Sequence, residues 1–182
     1  GGTTSNAADG TSTAGLARPP VDEANPRANN VWGHIVRWNE AGGDGAALAF
    51  DWDIFLLAGQ PAVTDARAPS ANITLDNLFN SPDGLAFDDF GRLWIQTDGS
   101  FANTGDFAGN GNNQLLVADV QTKEIRRFLV GPDGCEVTGI TWTVSREALG
   151  RWIGYEVEPR AAGPARFRGT AGGVEVMGGD SY

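Results

Sequence analysis

Three acidic residues stand where a carboxylate can do more than solubilise a surface: Asp83 in S-P-D-G, Asp98 in Q-T-D-G and Glu136 in G-C-E-V-T-G. Each lies beside a short apolar run, and carboxylates gathered from separate runs would hold a hard, oxygen-seeking cation such as calcium. Each also has an ordinary reading. Pro-Asp-Gly is turn chemistry, Asp before Gly commonly closes a strand, and a glutamate at a strand edge is commonly solvated. Glu136 differs from the other two in lying between a cysteine and an apolar strand. A partly buried glutamate there needs a cation, a proton or hydrogen bonds to offset its desolvation. The loop from Gly99 to Asn113 is rich in Asn, Asp, Gly and Thr and adds oxygen donors, although without the D-x-D-x-D-G spacing of an EF-hand.

The other chemistry-bearing residues narrow the choice. Cys135 is the single cysteine and His34 the single histidine. That excludes an internal disulfide, a cysteine-rich zinc module and an H-E-x-x-H site, and leaves oxygen-bound metals. A lone cysteine beside a strand reads as a small core residue. His34, between Gly33 and Ile35, reads as a packed or hydrogen-bonding residue. Arg126-Arg127 could meet phosphate bidentately, but after a Q-T-K turn on an amphipathic strand the pair reads as a solvated face. The six tryptophans read as core and packing residues.

Charge points the same way: 13 basic against 23 acidic residues, a formal net charge of -10, disfavour nucleic acid and anionic membranes and suit cations. No run of about 18 apolar residues is present, so no membrane span is expected. The chain opens on Gly-Gly without a charged segment leading into an apolar one. It reads as an interior piece of a longer reading frame, with any export signal upstream.

The elements that must position these residues read as strands. Residues 1–30 are small, polar and proline-bearing, a loop or disordered segment. "VWGHIVRWNE" alternates from Val31 to Trp38 as a strand. "AALAFDWDIFLLAG" allows helix or strand, and its strand neighbours favour strand. Then "GLAFD", "RLWIQTD", "QLLVADV" and "EIRRFLV" follow at short intervals, four strands in about 47 residues, the size of one propeller blade. A second copy begins at "GCEVTGITWT". A sandwich with the same strand spacing stays open. After Thr143 the regularity ends, and acidic and basic residues come into balance. The expected fold is all-β, a partial β-propeller of about two blades over residues 31–143, with an irregular N-terminal segment (1–30) and an atypical C-terminal tail (144–182).

In their order and spacing, "NPRANNVWGHIVRWNE", "SPDGLAFDDFGRLWIQTDG" and "GNNQLLVADVQTKEIRRFLVGPDGCEVTGITWT" resemble the PhoX-type alkaline phosphatases over roughly residues 22 to 143. "PDG-x-AFD-x-x-GRLW" alone is shared by many propellers; the combination is specific. The resemblance implies a monomeric bacterial phosphomonoesterase on a β-propeller, exported by the twin-arginine route to the periplasm or beyond, with phosphate esters as substrates. It also implies a mixed calcium and iron centre. Asp83, Asp98 and Glu136 occupy the family's motif positions and on that ground are expected metal ligands, Glu136 and Asp83 foremost.

Two departures accompany the resemblance. The family's ligating cysteine, several glutamates and the phosphate-contacting arginine belong to a larger N-terminal part, so Cys135 is not that cysteine. After "TWT" the family continues with a Pro-Asp-Gly turn and another strand, where this chain reads "VSREALGRWIGYEVEP", a change that a frameshift or misassembled reading frame explains. A propeller needs closure to protect its blade edges, so the chain alone is expected to be inactive. Two alternatives remain: a calcium-dependent lactonase, which shares motifs like "GLAFDDFGRLWI", and a non-catalytic secreted propeller whose acids serve turns or structural calcium.

Overall fold

The computed structural model describes residues 21–99, 103–144, 151–159, 168–171 and 174–177. Apart from two single-turn helices, the regular structure in them is antiparallel strand. Strands β1 (His34–Glu40) and β2 (Phe50–Leu57) form a hairpin. Four strands, β3 (Pro82–Phe87), β4 (Leu93–Thr97), β5 (Gln114–Ala118) and β6 (Ile125–Val130), follow one another as a single meander sheet. These are the four strands expected as a blade. Further hairpins pair β7 (Cys135–Val144) with β8 (Arg151–Pro159), and β9 (Arg168–Ala171) with β10 (Val174–Met177).

Side-chain chemistry sets the turns. Between β3 and β4, Asp88 Oδ1 accepts from the backbone of Phe90 (2.9 Å) and Arg92 (3.0 Å) while Gly91 takes φ +74°. Its Oδ2 accepts from Arg92 Nε (2.7 Å) and from Trp94 Nε1 (3.0 Å) on the next strand. Between β5 and β6, Asp119 Oδ1 accepts from Gln121 N (2.9 Å) and Thr122 N (2.7 Å). In both turns a short carboxylate satisfies amides that the ladder leaves open.

The central sheet is covered on both faces, which is why all five residues of β4 are buried. Leu93, Ile95, Leu116, Ala118 and Ile125 pack with Ile35, Phe55 and Leu56 of the β1–β2 hairpin. On the other face Trp94 and Leu115 pack with Val137 of β7. Ile125 and Leu129 share strand parity yet join opposite clusters, because the register shifts between Leu115 and Leu116 and turns the end of β6 over. Each buried Leu, Ile or Phe contributes about 1.5–3 kcal/mol, so the sandwiching of the sheet is the main local source of stability.

Two expectations meet a different outcome, and a third is met with an addition. Trp32 and Trp94 are core, but Trp38 and Trp52 face each other across β1 and β2 with 58% and 39% of their surface exposed, on a hairpin face that the described residues leave uncovered. Residues 21–30 form no strand or helix, as expected of a loop, yet Arg27 is buried. Its guanidinium donates to Ala58 O (2.7 Å), Gly33 O (2.6 Å), Arg67 O (3.2 Å) and Asn30 Oδ1 (2.9 Å), which ties the loop to the first hairpin. The tail holds β8, paired with β7 from Val144↔Arg151 to Cys135↔Pro159 with a register shift between Thr138 and Ile140, and the β9–β10 hairpin. Residues 1–20 of the expected N-terminal loop lie outside the described residues.

Candidate metal centre

Asp83 is not at the apex of a turn. It is the second residue of β3, inside a bulge: Pro82 faces Thr97 and Leu85 faces Ile95, so Asp83 and Gly84 crowd opposite the single residue Gln96. A bulge re-aims side chains, and Ser81 before it takes φ +48°. Gly84 is required there, since a Cβ would overlap the buried Gln96 amide. Asp98 follows the last residue of β4, where its backbone N–H donates to Ser81 O (3.1 Å). Glu136 is the second residue of β7.

The fold brings these three residues together. One carboxylate oxygen from each of Asp83, Asp98 and Glu136 lies within 4.8 Å of the others, with Asp83 exposed and the other two half-buried. Two carboxylates at that separation repel by roughly 3 kcal/mol at an effective dielectric constant of about 20. A cation reverses the sign. The donors are all oxygen, which selects hard cations over thiolate-seeking ones, so the residues fit a calcium-type ion.

Buried and half-buried amides surround the backbone of this cluster. Asn113 Oδ1 accepts from Gly99 N (2.7 Å) and Thr97 Oγ1 (3.2 Å), and its Nδ2 donates to Cys135 O (2.9 Å). Asn112 Nδ2 donates to Cys135 O (3.1 Å) and to Pro132 O. Asn80 lies against Gly99, where a Cβ would overlap its Oδ1. Asn80 Oδ1 and Gln96 Nε2 are buried and make no hydrogen bond among the described residues. Nothing in the motifs singled out these amides; the Asn-rich composition of the Gly99–Asn113 loop was the nearest signal.

The remaining candidates stand apart from the cluster. Cys135 precedes Glu136 but is buried, and burial, with Asp133 adding to it, pushes its thiol up, so it is an inert core residue as expected. His34 Nε2 donates to Ala24 O (2.9 Å) and Nδ1 accepts from Asn30 Nδ2 (3.1 Å), a hydrogen-bonding role. Arg126 is exposed and paired with Glu124, as a solvated face predicts. Arg127 is half-buried rather than a solvated face: it donates to Gln114 Oε1 (2.8 Å) and Leu78 O (2.9 Å), and burial lowers its pKa.

Residues 4–149 match the family model described as alkaline phosphatase PhoX. The chain belongs to the PhoX alkaline phosphatase family. Among solved structures it is similar to Pseudomonas fluorescens PhoX in complex with vanadate, a transition state analogue, at 54% identity and a TM-score of 0.64. That alignment covers 75% of this chain and 23% of the Pseudomonas protein, so the chain spans about a quarter of the length of its PhoX relative. No curated protein matches the chain. The PhoX match takes in β1 through β7 and so includes all three carboxylates.

Proposed function

We propose that this chain is the part of a metal-dependent alkaline phosphatase that supplies one wall of its metal centre, and that the whole protein releases phosphate from phosphate monoesters. The observation that carries the reading is the meeting of Asp83 in β3, Asp98 just after β4 and Glu136 in β7 in a PhoX-family chain. The vanadate complex of the Pseudomonas relative supports phosphoryl transfer as the reaction class. Calcium suits the oxygen donors on this chain; iron enters by family resemblance alone.

Within this reading Asp98 and Glu136 hold the cation from the half-buried side and Asp83 from the solvent side. A bound cation supplies positive charge against the phosphoryl oxygens as negative charge builds in the transition state. The carboxylates themselves repel a phosphate ester, so without the cation this surface would exclude the substrate. The bulge at Asp83 and the ladder at β7 hold the side chains in place before substrate arrives, which saves reorganisation at the moment of reaction.

The central sheet is read as one propeller blade, with β7 opening the next. On that reading residues beyond Thr143 depart from the family pattern through a shifted reading frame, which resequencing across the junction would reveal. The isolated chain is inactive, and the whole protein is an exported monomer.

The test is hydrolysis of p-nitrophenyl phosphate at alkaline pH by the whole protein that carries this chain, with and without chelator. Chelator-sensitive activity that falls by a hundredfold or more in Glu136→Ala, with the fold retained, is expected for a ligand of the catalytic metal. A folded, metal-loaded protein without hydrolysis overturns the phosphatase reading and leaves a lactonase or a calcium-binding propeller.

A further inference from the structure

We infer that Asn113 is the positioning residue of the carboxylate cluster: its side-chain amide ties the Thr97 hydroxyl and the Gly99 backbone, on either side of Asp98, to the backbone entering Glu136, and so sets the separation of those two carboxylates. This rests on the reading of Asp83, Asp98 and Glu136 as metal ligands.

Asp98 directly follows β4 and Glu136 lies in β7, and no ladder joins those strands: β4 pairs with β3 and β5, while β7 pairs with β8. Their distance must therefore be held by something other than a shared register. Asn113, 2% exposed, spans that gap. Its Oδ1 accepts from Thr97 Oγ1 and Gly99 N, the two neighbours of Asp98, and its Nδ2 donates to Cys135 O, the carbonyl of the peptide that leads into Glu136. One planar amide thus fixes two chain segments at once, one through its acceptor end and one through its donor end.

Asn113 is itself anchored. Gly131 N donates to its carbonyl (2.7 Å), and the next residue, Gln114, donates from its backbone to Thr97 Oγ1 (2.8 Å). The amide therefore cannot follow Asp98 or Glu136 if either drifts. Asn112 donates to the same Cys135 carbonyl from the adjacent position, so the peptide before Glu136 is held twice. A serine at 113 is too short to bridge both segments and adds no charge beside the three carboxylates. An aspartate would bury a carboxylate against the Cys135 carbonyl and bring a fourth negative charge to the cluster, so it would change stability and cation affinity for unrelated reasons. Groups one step behind the ligands commonly govern metal affinity by 10- to 100-fold.

The experiment is calcium titration by calorimetry on the metal-stripped whole protein, with Glu136→Gln identifying the binding step that belongs to this cluster. Asn113→Ser, whose shorter side chain cannot bridge both segments, is expected to weaken that step by about 10- to 100-fold when measured on the folded protein. A role confined to holding the fold would lower the metal-free melting temperature and leave the affinity of the folded protein within twofold, and that result overturns the inference. If Asn113→Ser does not fold, Asn113→Thr, whose methyl group fills part of the lost volume while its hydroxyl still meets only one segment, is read by the same affinity. If Glu136→Gln removes no calcium binding, the metal-ligand reading fails and takes this inference with it; if it does and Asn113 variants bind like the parent, Asn113 alone is dismissed.

Discussion

Replacing Arg27 by methionine keeps the length and apolar stem of the side chain and removes the guanidinium that three buried oxygen acceptors and the half-buried Arg67 carbonyl share. Hydrogen bonds to a charged donor are each worth about 1.5–3 kcal/mol, and stranded acceptors add their desolvation cost. We expect Arg27→Met to destabilise the whole protein by about 3 kcal/mol or more in urea unfolding; a loss under about 1 kcal/mol would show that the loop is held by other contacts. Burial lowers the Arg27 pKa to about 10, still far above neutrality, so the bonds persist through the physiological range. His34, two bonds away through Asn30, titrates where Arg27 does not. Burial lowers its pKa, the Ala24 hydrogen bond opposes that, and the charge of Arg27 adds to the lowering. As pH falls, the unfolded chain therefore takes up a proton on His34 before the folded chain does. The stability this site contributes is complete above the unfolded value of about 6.5 and is lost as pH falls from there toward the folded pKa. His34→Gln should flatten unfolding free energy against pH between about 5 and 7, and an unchanged slope would mean His34 is not the group responsible.

At the scale of elements, the strands were legible because strands announce themselves by alternation and by their turns. Asp88 and Asp119 do at the ends of β3 and β5 what their places in D-D-F-G and D-V-Q-T-K predict. The bulge was not legible. S-P-D-G has turn composition, and only the facing strand, with Gln96 filling the space over Gly84, makes it an extended segment with Asp83 turned aside. Gly99 has a comparable role below Asp98. A methyl group there would overlap Asn80 Oδ1, and Asn80 is buried with little room to withdraw. Gly99→Ala should cost about 1–3 kcal/mol by overpacking, and, by moving the chain at Asp98, should weaken calcium binding in the same protein. Loss of stability with an unaltered calcium affinity would separate Gly99 from the cluster. Asp88→Ala should cost a similar amount, read from urea unfolding, by leaving the buried Trp94 Nε1 without its acceptor.

For the whole molecule, the described surface carries more exposed apolar side chain than a closed domain shows. Phe50, Trp38, Phe87 and Phe90 are 58% to 71% exposed, and a cleft of about 240 Å³ between β1 and β3 is lined by Ile35, Trp38, Leu85 and Phe87. The 182-residue chain produced alone should therefore self-associate, detectable by light scattering, whereas a monodisperse monomer would show that these faces need no cover. On the metal-ligand reading, a cation held by the cluster would stabilise the fold of the whole protein by mass action. About 2.7 kcal/mol at a hundred times Kd should disappear with chelator and be absent from Glu136→Gln at any calcium level. What the sequence by itself determined is local or compositional. Strand periodicity, aspartate turns, the acidic balance and the absence of a second cysteine or histidine confine the fold to all-β and the metal chemistry to oxygen, because each is written in neighbouring residues or in simple counts. The tertiary structure decided the rest: that Asp83, Asp98 and Glu136 converge, that a bulge aims the first of them, and that Asn113 bridges the other two. Those are distances between segments as far apart in sequence as Asp83 and Glu136, set by how sheets pack rather than by any residue's own preference.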